Sequence, residues 1–340
     1  MAGFHVRSIL VTGSNRGIGL ELIKHFIGKP NPPEVIFATC RDPEGARAQE
    51  LKKLASKHPN VMILQLEATD SASIKSAAKK AEARLGGTGL NLLINNAGVM
   101  LPSTLESATP EDMLSVYNTN IVGPLLVTQA FLPLLKKAAQ GSNQKGMSCS
   151  KAAIVNISTV LGSIEKTPET FSFVPVVSYR CSKAALNMLT KCQSMGYKQD
   201  GILCTALHPG WVKTELGNFQ PNVQADLTVD ESVSGLMKVI CDLSEKHHGM
   251  LMSWEGNTLP CTDYKTVAKA ISLWLGSVLE DMIHPDQTYT VPCHTVFHNL
   301  YLVQDLLEPG SRDGLSFALL SLDQEKAFNR VDHGYLLGSL

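Results

Sequence analysis

Two residues of one predicted helix could together deliver a proton to a carbonyl oxygen. Tyr179 and Lys183 stand four residues apart in a helix predicted over residues 179–189, so they share one helix face. A nearby ammonium stabilises a phenolate and lowers the pKa of a tyrosine from its usual value near 10. Such a phenol can donate its proton while hydride reaches the carbonyl carbon. Chance pairs with this spacing are common on exposed helices, so the hypothesis requires a nicotinamide site elsewhere in the chain.

A glycine-rich turn between a strand and a helix predicts that site. The apolar residues 8–11 lead into T-G-S-N-R-G-I-G at 12–19, and a helix with one apolar stripe follows. Glycines let the backbone approach a pyrophosphate closely, and the helix N-terminus offers it backbone amides. The spacing is G-x-x-x-G-x-G rather than G-x-G-x-x-G, and an ordinary glycine-rich turn is the alternative interpretation.

The residue after the second predicted strand indicates which dinucleotide binds. The second predicted strand covers residues 35–39 and is followed by Cys40 and Arg41. An acidic residue there would bind the 2′-hydroxyl of NAD, whereas an arginine accommodates the 2′-phosphate of NADP. Arg16, inside the glycine turn, adds a second guanidinium, a group that suits phosphate. Either arginine alone could be a surface residue, but together they favour NADP(H).

Alternating strands and amphipathic helices predict the fold. Strands are predicted over residues 8–11, 35–39, 61–66, 90–94, 153–157, 201–207 and 250–254, with a surface loop at 141–150. The alternation predicts an α/β fold with a single Rossmann-like, doubly wound, parallel seven-stranded sheet.

Composition excludes several functional classes. The chain has 340 residues, of which 44% are hydrophobic and 18% charged, and a formal net charge of −1. These values predict a soluble protein without bias towards nucleic acid, and we find no apolar stretch approaching the ~20 residues of a membrane span. The eight cysteines are scattered, which predicts reduced thiols and a cytoplasmic protein. His247 and His248 lie on a polar segment, so we expect solvated surface and no metal site.

The ordered motifs resemble the short-chain dehydrogenase/reductase superfamily. T-G-x-x-x-G-x-G, N-N-A-G, N-x-x-G, S-[ST], Y-x-x-x-K and P-G occur in family order over residues 5–260. Within that superfamily, A-T-C-R at 38–41, S-Y-R-C-S-K at 178–183 and H-P-G-W-V-K-T at 208–214 are similar to the sniffer-like, C-factor-like carbonyl reductases.

The resemblance implies a role for each matching residue. Tyr179 would be the proton donor, Lys183 would lower its pKa and hold the nicotinamide ribose, and Asn120 would place a relay water by distorting its helix. The family usually has a second serine where this chain has Thr159, which follows Ser158. Threonine offers the same hydroxyl but a restricted χ1, so we expect Thr159 to be a working substitute. The implied cofactor-binding residues are Gly13, Ser14, Asn15, Arg16, Gly17, Ile18, Gly19, Arg41, Glu67, Asn96, Ala97, Gly98, Tyr179, Lys183, Pro209, Gly210, Val212 and Thr214.

The resemblance implies an NADPH-dependent carbonyl reductase acting on a small-molecule aldehyde, ketone or quinone. Residues 160–178, with Pro168, Phe171, Phe173 and Pro175, and residues 217–226 should border the substrate pocket, although these aromatic side chains could equally be loop packing. A non-catalytic NADP(H)-binding sensor or scaffold and an oxidative alcohol or steroid dehydrogenase are the alternatives. Many relatives pair through their long helices, which makes a homodimer the candidate oligomeric state.

The C-terminal segment does not match this fold. We place the domain boundary between residues 1–261 and 262–340. The second segment, ending in S-L-D-Q-E-K-A-F-N-R-V-D-H at 321–333, resembles a truncated LINE-type reverse transcriptase. In that family Asp323 would be the first metal-binding aspartate, but the chain has no Y-x-D-D motif, so the two-metal site would lack its other carboxylates. We interpret 262–340 as a non-functional retroelement-derived extension or a faulty gene model.

Overall fold

One sheet organises the part of the chain that the structure describes. The structure, a computed structural model, describes residues 5–218 and 225–261. The strands are β1 (Ser8–Val11), β2 (Val35–Cys40), β3 (Val61–Gln65), β4 (Leu92–Asn95), β5 (Ala153–Ile157), β6 (Leu203–His208), β7 (Leu251–Ser253) and β8 (Thr258–Leu259). Their order across the sheet is β3-β2-β1-β4-β5-β6-β7-β8. Strands β1 to β7 are parallel, which confirms the predicted doubly wound sheet.

The number of strands differs from the prediction. The described sheet has eight strands, because the two-residue β8 pairs antiparallel with β7. Gly256, at φ +94°, turns the chain back directly after β7. A two-residue strand carries no alternation of apolar and polar residues, so the sequence pattern did not indicate it.

Helices cover both faces of the sheet. They are α1 (Gly17–Ile27), α2 (Gln49–Lys57), α3 (Ser71–Leu85), α4 (Pro110–Tyr117), α5 (Gly123–Gln140), α6 (Thr167–Thr170), α7 (Val177–Gly196) and α8 (Val229–Asp242). Successive residues of β1 enter opposite cores: Ile9 packs in the core that α1, α2 and α8 share, and Leu10 in the core of α3 and α5. Burial on both faces explains why residues 9–11 of β1 are all apolar.

A buried polar network fixes α7 to the sheet. Asn156 of β5 donates to Thr190 (2.8 Å) and Gln193 (2.9 Å) of α7, and accepts from Asn95 of β4 (2.9 Å). Hydrogen bonds between fully buried amides require defined partner positions. The network therefore holds α7, which carries Tyr179 and Lys183, in one position against the central strands.

One helical stretch is more apolar than we expected. Residues Pro110–Gln140 are long and apolar enough, by length and composition alone, to cross a membrane. This corrects the expectation that no stretch approaches that length. Half of the most apolar window is buried within the described protein, where Val127, Phe131 and Leu135 belong to the core beside α3. A buried core helix passes the same test, and the packing accounts for the apolar composition.

The predicted C-terminal extension, residues 262–340, lies outside the described residues, and so does Asp323. The predicted domain boundary therefore stays a prediction.

Candidate active site

A large cavity opens at the carboxyl ends of β1, β2, β4, β5 and β6, where ligands bind in open parallel sheets. Its volume is about 1010 Å³, enough for a dinucleotide and a small substrate. The predicted site residues that line it are Gly13, Asn15, Arg16, Gly17, Ile18, Arg41, Glu67, Asn96, Ala97, Gly98, Thr159, Tyr179, Lys183, Pro209, Gly210, Val212 and Thr214. The fold thus brings most of the predicted set to one place.

The glycine turn is built for close approach of backbones. Gly13 has φ +66°, and a Cβ on it would lie 3.1 Å from Ala97 Cα. A Cβ on Gly19 would lie 2.2 Å from the carbonyl oxygen of Gly13, which no side chain could tolerate. Asn96 closes the turn by donating to the carbonyl oxygen of Thr12 at 2.9 Å. The result is a tight cradle of backbone at the start of α1, a shape that fits a pyrophosphate.

Three arginines gather at one corner of the cavity. Arg16 donates to Glu215 at 2.8 Å, and Arg47 lies 3.6 Å from the same carboxylate oxygen. Arg41 lies 3.5 Å from Glu67. Guanidinium groups recognise phosphate through several parallel donors, so this corner fits the 2′-phosphate of NADP(H).

Tyr179 and Lys183 lie side by side in the first turns of α7. Both are buried, at 8% and 4% relative exposure, and both line the cavity. The Lys183 Nζ is 5.5 Å from the centre of the Tyr179 ring and donates to the carbonyl oxygen of Ile157 at 2.7 Å. The four-residue spacing therefore places a phenol and an ammonium together in a buried site.

Burial has a larger effect on this pair than their mutual attraction. Burial raises the pKa of Tyr179 and lowers the pKa of Lys183 to about 8. Burial thus outweighs the lowering of the Tyr179 pKa that the resemblance implies for Lys183, and that lowering stays a prediction. Desolvation dominates, while the ammonium is directed at the Ile157 carbonyl.

Asn120 lies behind the cavity wall in a distorted helix. The helix changes to a π-helical turn at Asn118–Val122, between α4 and α5, and such turns often occur at functional sites. The Asn120 amide accepts from the Val99 backbone N–H and donates to the Val99 carbonyl and to Ser182 Oγ, each at 2.9 Å. It therefore joins the loop after β4 to α7.

Thr159 and Ser158 have different surroundings at the end of β5. The Ser158 hydroxyl donates to Asn187 at 2.6 Å, while Thr159 Oγ1 accepts from the Leu161 backbone N–H at 3.2 Å and starts a short helical turn at Val160–Gly162. A Cβ on Gly162 would lie 2.5 Å from the backbone carbon of Lys183. Only glycine lets this turn approach α7 so closely, so Gly162 holds the turn that follows Thr159 against the helix that carries Tyr179.

Comparison with known proteins identifies the family. The profile of the short chain dehydrogenase family matches residues 7–224. An uncharacterized oxidoreductase of Schizosaccharomyces pombe is 31% identical over 266 residues, which cover 74% of this chain and 96% of that protein. The chain belongs to the short-chain dehydrogenase family.

Solved structures refine this relationship. An NADPH-bound carbonyl reductase from chicken fatty liver is 57% identical, with a TM-score of 0.71, over 75% of this chain and 99% of that one. The carbonyl reductase Sniffer of Drosophila melanogaster is 37% identical, with a TM-score of 0.70, over 75% of this chain and 100% of its own. The predicted resemblance to sniffer-like carbonyl reductases is confirmed.

A separate match supports the resemblance predicted for the C-terminal segment. A 91-residue stretch, 27% of this chain, is 60% identical to an uncharacterized 149 kDa protein of transposon TX1 from Xenopus laevis. The stretch covers 7% of that protein. A retroelement-like fragment is therefore joined to a short-chain dehydrogenase in this chain.

Some predicted residues support the site without facing it. Ser14, Gly19 and Asn120 do not line the cavity. The Ser14 hydroxyl bonds back to the carbonyl oxygen of Val11 at 2.7 Å and holds the turn. Of the four residues named for the substrate side, Phe173 reaches the cavity and Phe171 lies under Arg180, 5.5 Å from its guanidinium carbon. Residues 219–224, part of the second predicted border, lie outside the described residues.

Several residues of this site were not predicted from the sequence. Arg47, Glu215 and Gly162 belong to none of the motifs above, and Ser182 stands in S-Y-R-C-S-K without a predicted role. His208 also lines the cavity, and burial lowers its pKa to about 4, so its ring is neutral at pH 7. The HPG motif could have singled out His208, but the other four depend on contacts between distant parts of the chain.

Proposed function

We propose that this protein is an NADPH-dependent carbonyl reductase that converts an aldehyde, ketone or quinone to the corresponding alcohol or hydroquinone. The observation that carries the proposal is the buried pair Tyr179 and Lys183 in the same cavity as an arginine-lined dinucleotide cradle. The carbonyl reductase descriptions of the similar structures support the same activity.

The residues that would hold NADP(H) follow from the cavity. The amides and glycines of residues 13–19 would bind the pyrophosphate, Arg16 and Arg41 the 2′-phosphate, and Lys183 the nicotinamide ribose. When bound, the reduced nicotinamide supplies the hydride that the carbonyl carbon accepts. The donor set is cationic at one end and backbone-rich in the middle, as a phosphorylated dinucleotide requires.

Tyr179 would then donate the proton that the carbonyl oxygen needs. Its raised pKa keeps the phenol protonated at pH 7, and donation becomes favourable only as negative charge develops on the substrate oxygen. Lys183, whose pKa is about 8, is mostly charged at pH 7 and would stabilise the phenolate that remains. The Thr159 hydroxyl would donate a second hydrogen bond to the same oxygen. Lys183 would then pass a proton to the Tyr179 phenolate, and a relay water positioned by Asn120 would return a proton to Lys183.

The substrate side of the cavity favours an apolar carbonyl compound. Val160, Leu161, Phe173, Val174 and Leu216 are among its apolar lining residues. Phe173 is 75% exposed, so a substrate ring could cover it.

The decisive experiment compares Tyr179→Phe with Tyr197→Phe, a matched change at the far end of α7. NADPH oxidation would be followed over a panel of aldehydes, ketones and quinones. We expect Tyr179→Phe to lower kcat by about 10²- to 10⁴-fold, because the proton donor is lost, and to leave NADPH affinity nearly unchanged. Tyr197→Phe should behave like the unmodified protein.

Other outcomes would select the alternatives. NADPH binding without turnover of any substrate would favour a sensor or scaffold. Turnover only of alcohols with NADP⁺ would favour an oxidative dehydrogenase. Full activity of Tyr179→Phe would overturn the assigned proton donor.

We further propose a reducing compartment such as the cytosol and a homodimer. The seven cysteines among the described residues are all unpaired, which supports reducing surroundings. Met188 and Met195 are 63% and 67% exposed on one face of α7, which supports pairing of helices. A single monomeric species in analytical ultracentrifugation would contradict the homodimer.

A further inference from the structure

One carboxylate holds two arginines at the rim of the cavity. Glu215 comes from the segment after β6, Arg16 from the glycine turn and Arg47 from the short turn Ala46–Ala48 before α2. All three line the cavity, and the Glu215 carboxylate oxygen lies 2.8 Å from Arg16 and 3.6 Å from Arg47. Three separate parts of the chain thus meet at one ion-pair cluster.

Packing of small groups brings Glu215 to this position. Thr214 lies against the glycine turn, and its Cγ2 would be 3.5 Å from a Cβ on Gly17. Thr214 Oγ1 also accepts from the Gly217 backbone N–H at 3.0 Å, which curls the segment around Glu215. The backbone of residues 214–217 therefore directs the Glu215 carboxylate across the glycine turn.

We propose that Arg47 is a third residue that binds the 2′-phosphate of NADP(H), and that Glu215 is a built-in competitor for that phosphate. The proposal rests on the proposed cofactor. Arg47 would add affinity, while Glu215 would reduce it by occupying Arg16 and Arg47 and by repelling the incoming anion.

The charges at the corner favour competition. Arg41, the remaining arginine of this corner, also has a carboxylate partner, Glu67, at 3.5 Å. A phosphate that engages these guanidinium groups must share their donors with two carboxylates. A phosphate carries nearly two negative charges at pH 7 and therefore meets direct repulsion from Glu215. The side chains are 46% to 66% exposed at this cluster, so water and salt moderate the effect.

Competition of this kind would adjust affinity without changing the identity of the cofactor. A ligand without the 2′-phosphate, such as NAD(H), gains little from removal of Glu215. A ligand with that phosphate gains more affinity, because Arg16 and Arg47 then donate to the phosphate without competition from Glu215. Glu215 would keep NADP(H) binding loose enough for exchange of the oxidised for the reduced form.

The test is a binding measurement on the full chain that involves no turnover. Calorimetry would compare adenosine 2′,5′-bisphosphate with adenosine 5′-monophosphate, so that the difference isolates the 2′-phosphate. The variants are Glu215→Gln, Arg47→Gln and both together. Glu82→Gln and Arg84→Gln are matched controls, because both residues are exposed on α3 and do not line the cavity.

The expected effects are modest and opposite in sign. Glu215→Gln should tighten binding of the bisphosphate about two- to five-fold, and Arg47→Gln should weaken it by about the same factor, as for exposed ion pairs. Binding of the monophosphate should change less in each case. Both effects should shrink as salt is raised.

Three results would overturn the proposal. Weaker binding of both ligands in Glu215→Gln would mean that Glu215 supports the arginines instead of competing. Unchanged bisphosphate affinity in Arg47→Gln would remove Arg47 from the site. If the unmodified protein prefers neither ligand, the assignment of NADP(H) itself fails, whereas loss of carbonyl reduction alone would leave this inference standing.

Discussion

The proton-donating pair and the arginine corner use charge in opposite ways. Tyr179 and Lys183 are almost completely buried, whereas the side chains of Arg16, Arg41 and Arg47 are 46%, 72% and 66% exposed. Buried charges interact strongly because little water screens them, and exposed ones interact weakly. Single changes should therefore have large effects at the buried pair and small effects at the corner.

The two regions are also held in place differently. The pair belongs to one helix, α7, which the Asn156 network and Gly162 fix against the sheet. The arginine corner joins four loops, those after β1, β2, β3 and β6, through ion pairs at the surface. One region is thus built for a fixed geometry, and the other for a ligand that must enter and leave.

Lys183→Met should give the largest effect among the changes that sharpen this comparison. Methionine fills similar space but removes the buried cation, so we expect kcat to fall by about 10²-fold or more. Stability should change little, because the lost hydrogen bond to Ile157 contributes about 1 kcal/mol and the cost of burying the charge is removed. Steady-state kinetics and thermal unfolding would measure the two quantities. Loss of activity with a collapse of stability would show that Lys183 is chiefly structural.

The same variant also tests the lowered pKa of Lys183 through the pH dependence of stability. Burial lowers the pKa of Lys183 in the folded protein from 10.5 to about 8. Between these values the unfolded chain binds a proton that the folded protein does not, so folding becomes more favourable as pH rises. Below pH 8 both states are protonated and the cost of burial is fully present. The free energy of unfolding of the unmodified protein should therefore rise relative to that of Lys183→Met between about pH 8 and pH 10.5. A constant difference would contradict the lowered pKa.

Arg180→Met should have an intermediate effect, on the substrate side of the cavity. Arg180 is 6% exposed and donates to the Val174 carbonyl at 2.8 Å and to Thr170 at 3.0 Å. It therefore ties the segment that borders the substrate to the helix of Tyr179. We expect KM to rise about tenfold with a smaller change in kcat, and stability to fall by about 2 kcal/mol, as for hydrogen bonds to a charged group.

Arg180→Lys is the control for this positioning role. Lysine keeps the charge but cannot reach several acceptors at once. Compared with Arg180→Met, it should recover part of the lost stability but little of the normal KM. A variant with normal KM for both small and bulky substrates would show that Arg180 stabilises the fold without shaping the pocket.

Local patterns in the sequence were enough for most of the fold and for the buried pair. The parallel strands are mostly apolar runs, and Tyr179 and Lys183 are brought together by helical spacing alone. The Glu215 cluster could not be predicted, because Arg16 and Glu215 are 199 positions apart and their contact depends on how loops pack. The raised pKa of Tyr179 was missed for a similar reason: burial is a property of the whole fold, whereas the Tyr-Lys spacing indicates only the attraction.

Thr159→Ser should give the smallest effect, and it tests whether the departure from the usual family serine matters. Serine keeps the hydroxyl that accepts from Leu161 and loses only a methyl group on a residue that is 7% exposed. We expect kcat to stay within about threefold, since both side chains offer the same donor, and stability to fall by about 1 kcal/mol for the lost methyl. Thr159→Val has the shape of threonine without the hydroxyl, and it should lower kcat by about 10²-fold if that group stabilises the developing oxyanion. Equal activity of the valine and serine variants would show that the hydroxyl is dispensable, and the second hydrogen bond to the carbonyl oxygen would have to come from another residue.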